Sequence, residues 1–215
     1  MLPSLASLSL KNDDASTGTP LDKEEKQRFI NSMKLRPRGT RVFRGMPKKY
    51  RNYAELLLEG IKLLGAGVLE DATEEKRSSA TFMKRAVAYD GMALQYALES
   101  IQDDPHYAEI VSIAVATSPL ALEFASDEFK NDREIVRIAA TKNGHAVQFA
   151  SEAVRADTDF MIELMTTQAS VYMWAMGGFG SNPDLIKRAV TANWQVIPYV
   201  TQHLRTEELL LIAVR

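Results

Sequence analysis

Apolar positions along this chain recur in interlocked registers. In Arg133–Asp157 (REIVRIAATKNGHAVQFASEAVRAD), Ile135, Val136 and Ala139 stand at i, i+1 and i+4, one face of a helix rather than the alternation of a strand. The face returns as Phe160, Met161 and Leu164, as Leu185, Ile186 and Ala189, and as Leu210, Leu211 and Val214, each set 25 residues after the last. Downstream in each stretch stands an aromatic: Tyr96, Phe124, Phe149, Trp174, Tyr199. The last four keep the 25-residue spacing, and Tyr96 is set back by a three-residue insertion near Pro105 to Tyr107. A small or branched residue follows each aromatic (Ala97, Ala125, Ala150, Ala175, Val200). Five positions past each comes a further apolar residue (Ile101, Phe129, Val154, Phe179, Leu204).

The polar residues between these columns predict two helices per unit. Asp104, Asp132, Asp157 and Asn182 precede the first apolar face, where a short side chain accepts from free amides at a helix start. Pro105 and Pro183 follow two of them at the position where a missing N–H costs nothing. Glu134, Asp159 and Asp184 suit the positive end of the helix dipole. Asp90-Gly91, Ser118-Pro119 and Asn143-Gly144 mark a turn in mid-unit, with weaker signals at Gln168-Ala169 and Asn193-Trp194. The predicted fold is all-α: an α-solenoid-like array of 25-residue helical hairpins, each with two helices of roughly ten residues. Its units span 81–104, 105–132, 133–157, 158–182 and 183–207, with a partial sixth at 208–215. Hairpins this short cannot bury their apolar faces alone, so neighbours must stack, with the aromatic column expected as structural core. The run Leu209, Leu210, Leu211, Ile212 and Val214 predicts an end covered by a partner or by further repeats, because terminal repeats need a polar outer face.

The stretch Glu134-Ile-Val-Arg-Ile-Ala-Ala-Thr-Lys-Asn-Gly-His-Ala-Val-Gln-Phe-Ala-Ser, with weaker echoes from Thr81 to Arg215, resembles the repeats of the domain of unknown function 4116 family. Those repeats read roughly D-x-E-I-V-x-x-A-V-x-x-N-G-x-A-L-x-x-A-S. The likeness is strongest in the second and third units and fades where Gln168-Ala169 replaces Asn-Gly. It implies a helical-repeat fold and carries no catalytic residues.

Residues 1–20, rich in Ser and Leu but holding Asp13 and Asp14, read as a flexible tail rather than a transit peptide. Residues 21–80 read as an extended, partly helical N-terminal arm that wraps the array or a partner. A short helix with Phe29, Ile30 and Met33 on one face is broken by Pro37, Gly39, Gly45 and Pro47. A second helix, over about 53–69, carries Leu56, Leu57, Ile61, Leu64 and Leu69 and is weakened by Gly60, Gly65 and Gly67. Asp71 to Ser79 reads as a charged link.

Charge sharpens this picture. The net charge of −2 conceals a basic segment, 34–51, with eight Lys or Arg residues and no carboxylate, leaving 18 basic against 28 acidic side chains elsewhere. Arg36, Arg38, Arg41, Phe43, Arg44, Lys48, Lys49, Tyr50 and Arg51 are therefore the expected partner-binding residues. Cations spaced by Gly and Pro suit an acidic protein surface, the chain's own or another's. With Phe43 and Tyr50 interleaved they also suit nucleic-acid phosphates and bases, or anionic lipid headgroups. The plain alternative is a solvated loop.

Composition, 46% apolar and 25% charged, is that of an ordinary globular protein. The absence of cysteine excludes disulfides, thiolate zinc sites and iron–sulfur clusters. No stretch is apolar enough to span a membrane, the best being 54–69 with Glu55, Glu59 and Lys62 inside it.

Catalytic, cofactor and metal signals are poor, and none is assigned. His106, His145 and His203 share no helix-face spacing; His145, after a turn glycine, reads as surface. Gly65-Ala66-Gly67 lacks the third glycine of a dinucleotide fingerprint. Gly177-Gly178-Phe179-Gly180 lacks a following Lys-Ser/Thr and reads as a shortened helix. Met161, Met165, Met173 and Met176 read as packing. The expected function is a non-catalytic scaffold, linker or adaptor in an intracellular, soluble or peripheral setting. It would hold other protein subunits through the array and the basic arm. The alternative is a nucleic-acid-associated protein binding through Leu35–Arg51.

Overall fold

In the computed structural model, which describes residues 21–213, every regular element among those residues is helical. The tail expected at 1–20 and the apolar Val214 lie outside the described residues. Eight helices form the frame: α1 (Lys23–Lys34), α2 (Ala54–Leu64), α3 (Ala80–Tyr89), α4 (Tyr107–Thr117), α5 (Arg133–Lys142), α6 (Thr158–Met165), α7 (Pro183–Ala192) and α8 (Glu207–Ala213). From α2 to α8, each helix packs against the next in sequence.

Helix starts follow local chemistry. Asp132 Oδ1 accepts from the amides of Glu134 at 2.7 Å and Ile135 at 3.2 Å, opening α5. Asp157 caps α6 through Phe160, and Asn182 caps α7 through Asp184 and Leu185. Asp132→Ala should therefore cost about 0.5–2 kcal/mol, read as a lower midpoint in thermal melts. The expected start at Asp104-Pro105 is shifted. Asp104 accepts from His106 instead, and α4 begins at Tyr107, whose buried ring packs edge-on against Phe129 with centroids 5.4 Å apart.

The second half of each unit is not the expected ten-residue α-helix. It is a 3-10 helix of six residues: Ala66–Asp71, Gly91–Tyr96, Pro119–Phe124, Gly144–Phe149, Ala169–Trp174 and Trp194–Tyr199. A residue in extended geometry precedes each of the last five 3-10 helices (Asp90, Ser118, Asn143, Gln168, Asn193); it directly ends the α-helix before it in every case but Gln168, which follows α6 after Thr166 and Thr167. Asp90, Asn143 and Asn193 then accept from the amide two residues on, an Asx turn that starts the tighter helix. The 3-10 helix ends where Ala97, Ala125, Ala150, Ala175 or Val200 becomes extended again.

Three residues per turn changes which side chains are core. The third and fourth positions face inward: Ala93 and Leu94, Ala121 and Leu122, Ala146 and Val147, Val171 and Tyr172 are all buried. The aromatic column, expected as the structural core, occupies the sixth position on its flank. Tyr96, Phe124, Phe149 and Trp174 are half-buried against the core, and Tyr199 is 39% exposed.

After the 3-10 helix the chain crosses to the next unit, through short α-helices at Glu74–Arg77, Asp127–Lys130 and Glu152–Ala156 and short 3-10 helices at Glu99–Ile101 and Gln202–Leu204. The glycine-rich stretch 177–180 contains no helix. Gly177 and Gly178 adopt positive φ (71° and 99°) and turn Phe179 into the core, where the Tyr172 hydroxyl donates to the Phe179 carbonyl at 2.7 Å. Backbone bonds join one crossing to the one before it. The amides of Thr73, Leu98, Ser151 and Met176 donate to the carbonyls of Arg51, Arg77, Lys130 and Arg155, at 2.8–3.2 Å. At the insertion, Ser126 N–H instead donates to the Tyr107 hydroxyl at 3.3 Å.

The N-terminal region departs most from expectation. The helix predicted over about 53–69 stops at Gly65 (φ 95°) and continues as the 3-10 helix Ala66–Asp71. The pair formed by α2 and Ala66–Asp71 thus has the same α/3-10 build as those that follow. Its sequence hides this, with Gly65 where later pairs have Asp, Ser, Asn or Gln and Asp71 where they have an aromatic. Nor is 35–50 an extended arm. Val42, Phe43, Met46 and Tyr50 are buried, and Phe29 meets Phe43 at 5.3 Å and Tyr50 at 5.8 Å between ring centroids.

Candidate interaction surfaces

The basic segment is pinned from inside and charged outside. Gly39 and Gly45 supply positive-φ turns (84° and 74°), and the Gly39 amide donates to the Leu64 carbonyl at the end of α2 at 2.8 Å. Between these turns the chain inserts Val42 and Phe43. Arg41 pairs with Glu70, and Arg38 lies 3.9 Å from Asp90 Oδ2, an oxygen that also accepts from the Ala66 amide. Lys49 lies 3.6 Å from Glu25, which also accepts from the Tyr50 hydroxyl. Burial, and then that carboxylate, holds the Tyr50 phenol above its ordinary range. Arg51 Nε donates to the Met46 carbonyl at 2.9 Å.

Of the nine expected partner-binding residues, Phe43 and Tyr50 are core side chains, so they present no face to an outside group. Arg38, Arg41 and Lys49 are turned toward the chain's own carboxylates. The side chains of Arg36, Arg44 and Lys48 have no hydrogen-bond or ion-pair partner among the described residues.

A second surface was not evident in the sequence. The 3-10 helices pack side by side in chain order, and their second, fifth and sixth positions face outward. The five from Gly91 to Tyr199 contain no Lys or Arg and a single carboxylate, Glu123. Their outer positions hold Leu120, Phe124, Phe149, Met173, Trp174 and Tyr199. Trp194 stands at the start of the last, 58% exposed. Trp174 Nε1–H donates to His145 Nδ1 at 3.3 Å, and His145 is exposed, as its turn position predicts. The α-helical face is the opposite in character. Lys84–Glu109, Arg137–Glu163 and Arg188–Asp159 pair neighbouring helices at 2.6–3.0 Å. The missed signal was the absence of charge between each turn and the small residue that closes the 3-10 helix.

Among the described residues no three His, Asp or Glu side chains converge as metal ligands, and no helix is long and apolar enough to cross a membrane. A depression beside Ile162, Lys187 and Arg188 is open to solvent.

Residues 107–155 match the family model described as Domain of unknown function (DUF4116). The DUF4116 segment takes in α4, α5 and the 3-10 helices that follow them. No curated protein and no solved structure matches the chain. Within the DUF4116 segment the glycine of Asn143-Gly144 has a packing reason. A Cβ there would stand 2.4 Å from Ser170 Oγ and 3.1 Å from the Val171 amide nitrogen, so glycine lets the next 3-10 helix approach.

Proposed function

We propose that this protein is a non-catalytic scaffold or adaptor: an α-solenoid-like stack of α/3-10 pairs that holds other protein subunits, with the basic N-terminal segment as one contact. The observation that carries this reading is the mounting of that segment. Buried Val42, Phe43, Met46 and Tyr50 fix the backbone, while exposed Arg44 and Lys48 and half-buried Arg36 carry no ion pair among the described residues. A rigid cationic face loses less conformational entropy on meeting an acidic surface than a free arm would.

The nucleic-acid alternative through Leu35–Arg51 is weakened by the same feature. With Phe43 and Tyr50 buried, only phosphate contacts remain to it, without base stacking.

The test is a triple substitution of Arg36, Arg44 and Lys48 by Ser in the full chain. Partner proteins recovered with the wild type and quantified by mass spectrometry should fall about tenfold with the variant, and should also fall as salt rises. Helical circular dichroism should stay unchanged. Undiminished recovery at high salt would remove the basic segment from the interface. A mobility shift of duplex nucleic acid that the same substitutions abolish would favour the alternative.

A further inference from the structure

The outward 3-10 face is a strip with a definite width and period. Each of its helices is six residues long, about 12 Å at roughly 2.0 Å per residue, so the strip is about one chain wide. It holds no Lys or Arg and one carboxylate, Glu123, so a charged group laid on it would go unpaired. Just past the closing small residues stand the exposed Asp127, Glu128 and Glu152. A folded partner surface of standard size, about 800 Å² per side and so roughly 30 Å across, would have to cover those carboxylates. A single uncharged chain would not.

Along the strip, Phe124, Phe149, Trp174 and Tyr199 recur once per 3-10 helix, about 8–10 Å apart at the spacing of packed helices. A β-strand returns a side chain to one face after about 6.6 Å, and an α-helix after one turn of about 5.4 Å or two of about 10.8 Å. A polyproline II chain returns one at every third residue, about 9.3 Å, within the spacing of the row. Hydrogen bonding points the same way. The amides of Ala97, Ala125 and Ala150, which close their 3-10 helices, donate to the carbonyls of Leu94, Leu122 and Val147, so no open backbone edge is offered there for strand addition. Polyproline II needs no such edge, because its own carbonyls stay free, and the exposed side-chain amides of Gln95 and Gln195 can donate to them. We propose that the 3-10 face is a docking strip for an uncharged, proline-rich segment in the polyproline II conformation, with one proline seated on each of Phe124, Phe149, Trp174 and Tyr199. The proposal gives the scaffold reading a second class of partner but uses nothing of the basic segment, so either can fail alone.

Both tryptophans of the chain, Trp174 and Trp194, lie on this face, so fluorescence reads it directly. Dodecaproline added to the full chain should shift emission to the blue and lower acrylamide quenching roughly twofold, saturably, as the indoles leave water. A flexible Gly-Ser peptide of the same length should do neither. Dodecaproline carrying glutamate at every third position should bind at least about tenfold more weakly by titration calorimetry. Trp174→Ala should weaken dodecaproline binding about tenfold, as should Tyr199→Ala, whose ring is 39% exposed and whose loss leaves circular dichroism unchanged. The triple Arg36, Arg44 and Lys48 variant should bind the peptide as the wild type does. No saturable change up to millimolar dodecaproline, equal binding of the Gly-Ser peptide, or undiminished affinity in Tyr199→Ala would overturn the proposal. So would lost binding in the triple variant, which would move the site to the basic segment. An emission shift on dilution without peptide would assign the face to a second copy of the chain instead.

Discussion

Leu122→Ala should lower the stability of the chain by about 2–5 kcal/mol, the range for deleting a large buried side chain. Leu122 sits at the fourth position of its 3-10 helix and is fully buried, whereas Leu120, two residues earlier, is 38% exposed. Leu120→Ala should change stability by no more than about 0.5 kcal/mol. Phe149→Ala should fall between them, because part of its ring already meets solvent. Urea melts with unchanged m-values would report the three losses. Equal losses from Leu120 and Leu122 would mean that the third and fourth positions do not face inward.

The second large effect comes from adding a single carbon. At Gly91 a Cβ would stand 2.2 Å from the Ala114 carbonyl oxygen and 2.8 Å from the Ser118 nitrogen, both backbone atoms of the following unit. Neither can rotate away, so the 3-10 helix and α4 would have to separate. The bond from the Gly91 amide to Ser118 Oγ, 3.1 Å, would stretch with them. Gly91→Ala should cost about 3 kcal/mol, the upper end of overpacking penalties. Gly144→Ala should cost less, since its nearest obstacle, Ser170 Oγ, belongs to a side chain with other rotamers. Neither glycine has positive φ, so the difference isolates contact from backbone strain. A smaller loss at Gly91 than at Gly144 would refute the argument.

What the sequence disclosed depended on how local each cause is. Asp132, Asp157 and Asn182 could be read as helix starts because a cap acts on amides two or three residues away. The inward faces of α5 to α7 followed from apolar spacing. Depth did not. The constancy of Tyr96, Phe124, Phe149, Trp174 and Tyr199 showed that one position recurs, but i, i+3 and i+4 spacings do not separate an α-helix from a 3-10 helix. That distinction decides whether the sixth residue is centre or flank. The basic segment misled for a related reason. Its cations are conspicuous, while the anchoring set Val42, Phe43, Met46 and Tyr50 acquires meaning only once Phe29 is seen to lie between Phe43 and Tyr50. Pairing within α2 and Ala66–Asp71 was hidden by two residues, Gly65 and Asp71, which break the pattern of the later pairs without breaking its geometry.

The bond from Ser126 to Tyr107 gives the molecule a joint of a different kind. Where Leu98 meets Arg77 or Ser151 meets Lys130, peptide groups clasp peptide groups, and only proline at the donor position would remove the clasp. Between the crossings on either side of α4, the clasp is a phenol, buried edge-on against the Phe129 ring. One oxygen atom there can be deleted while every fold-defining residue stays. A row of fixed joints thus includes one with a removable pin, at the place where three inserted residues had already lengthened the link. Tyr107→Phe therefore removes the bond between those two crossings and leaves the peptide-to-peptide bonds at the others in place.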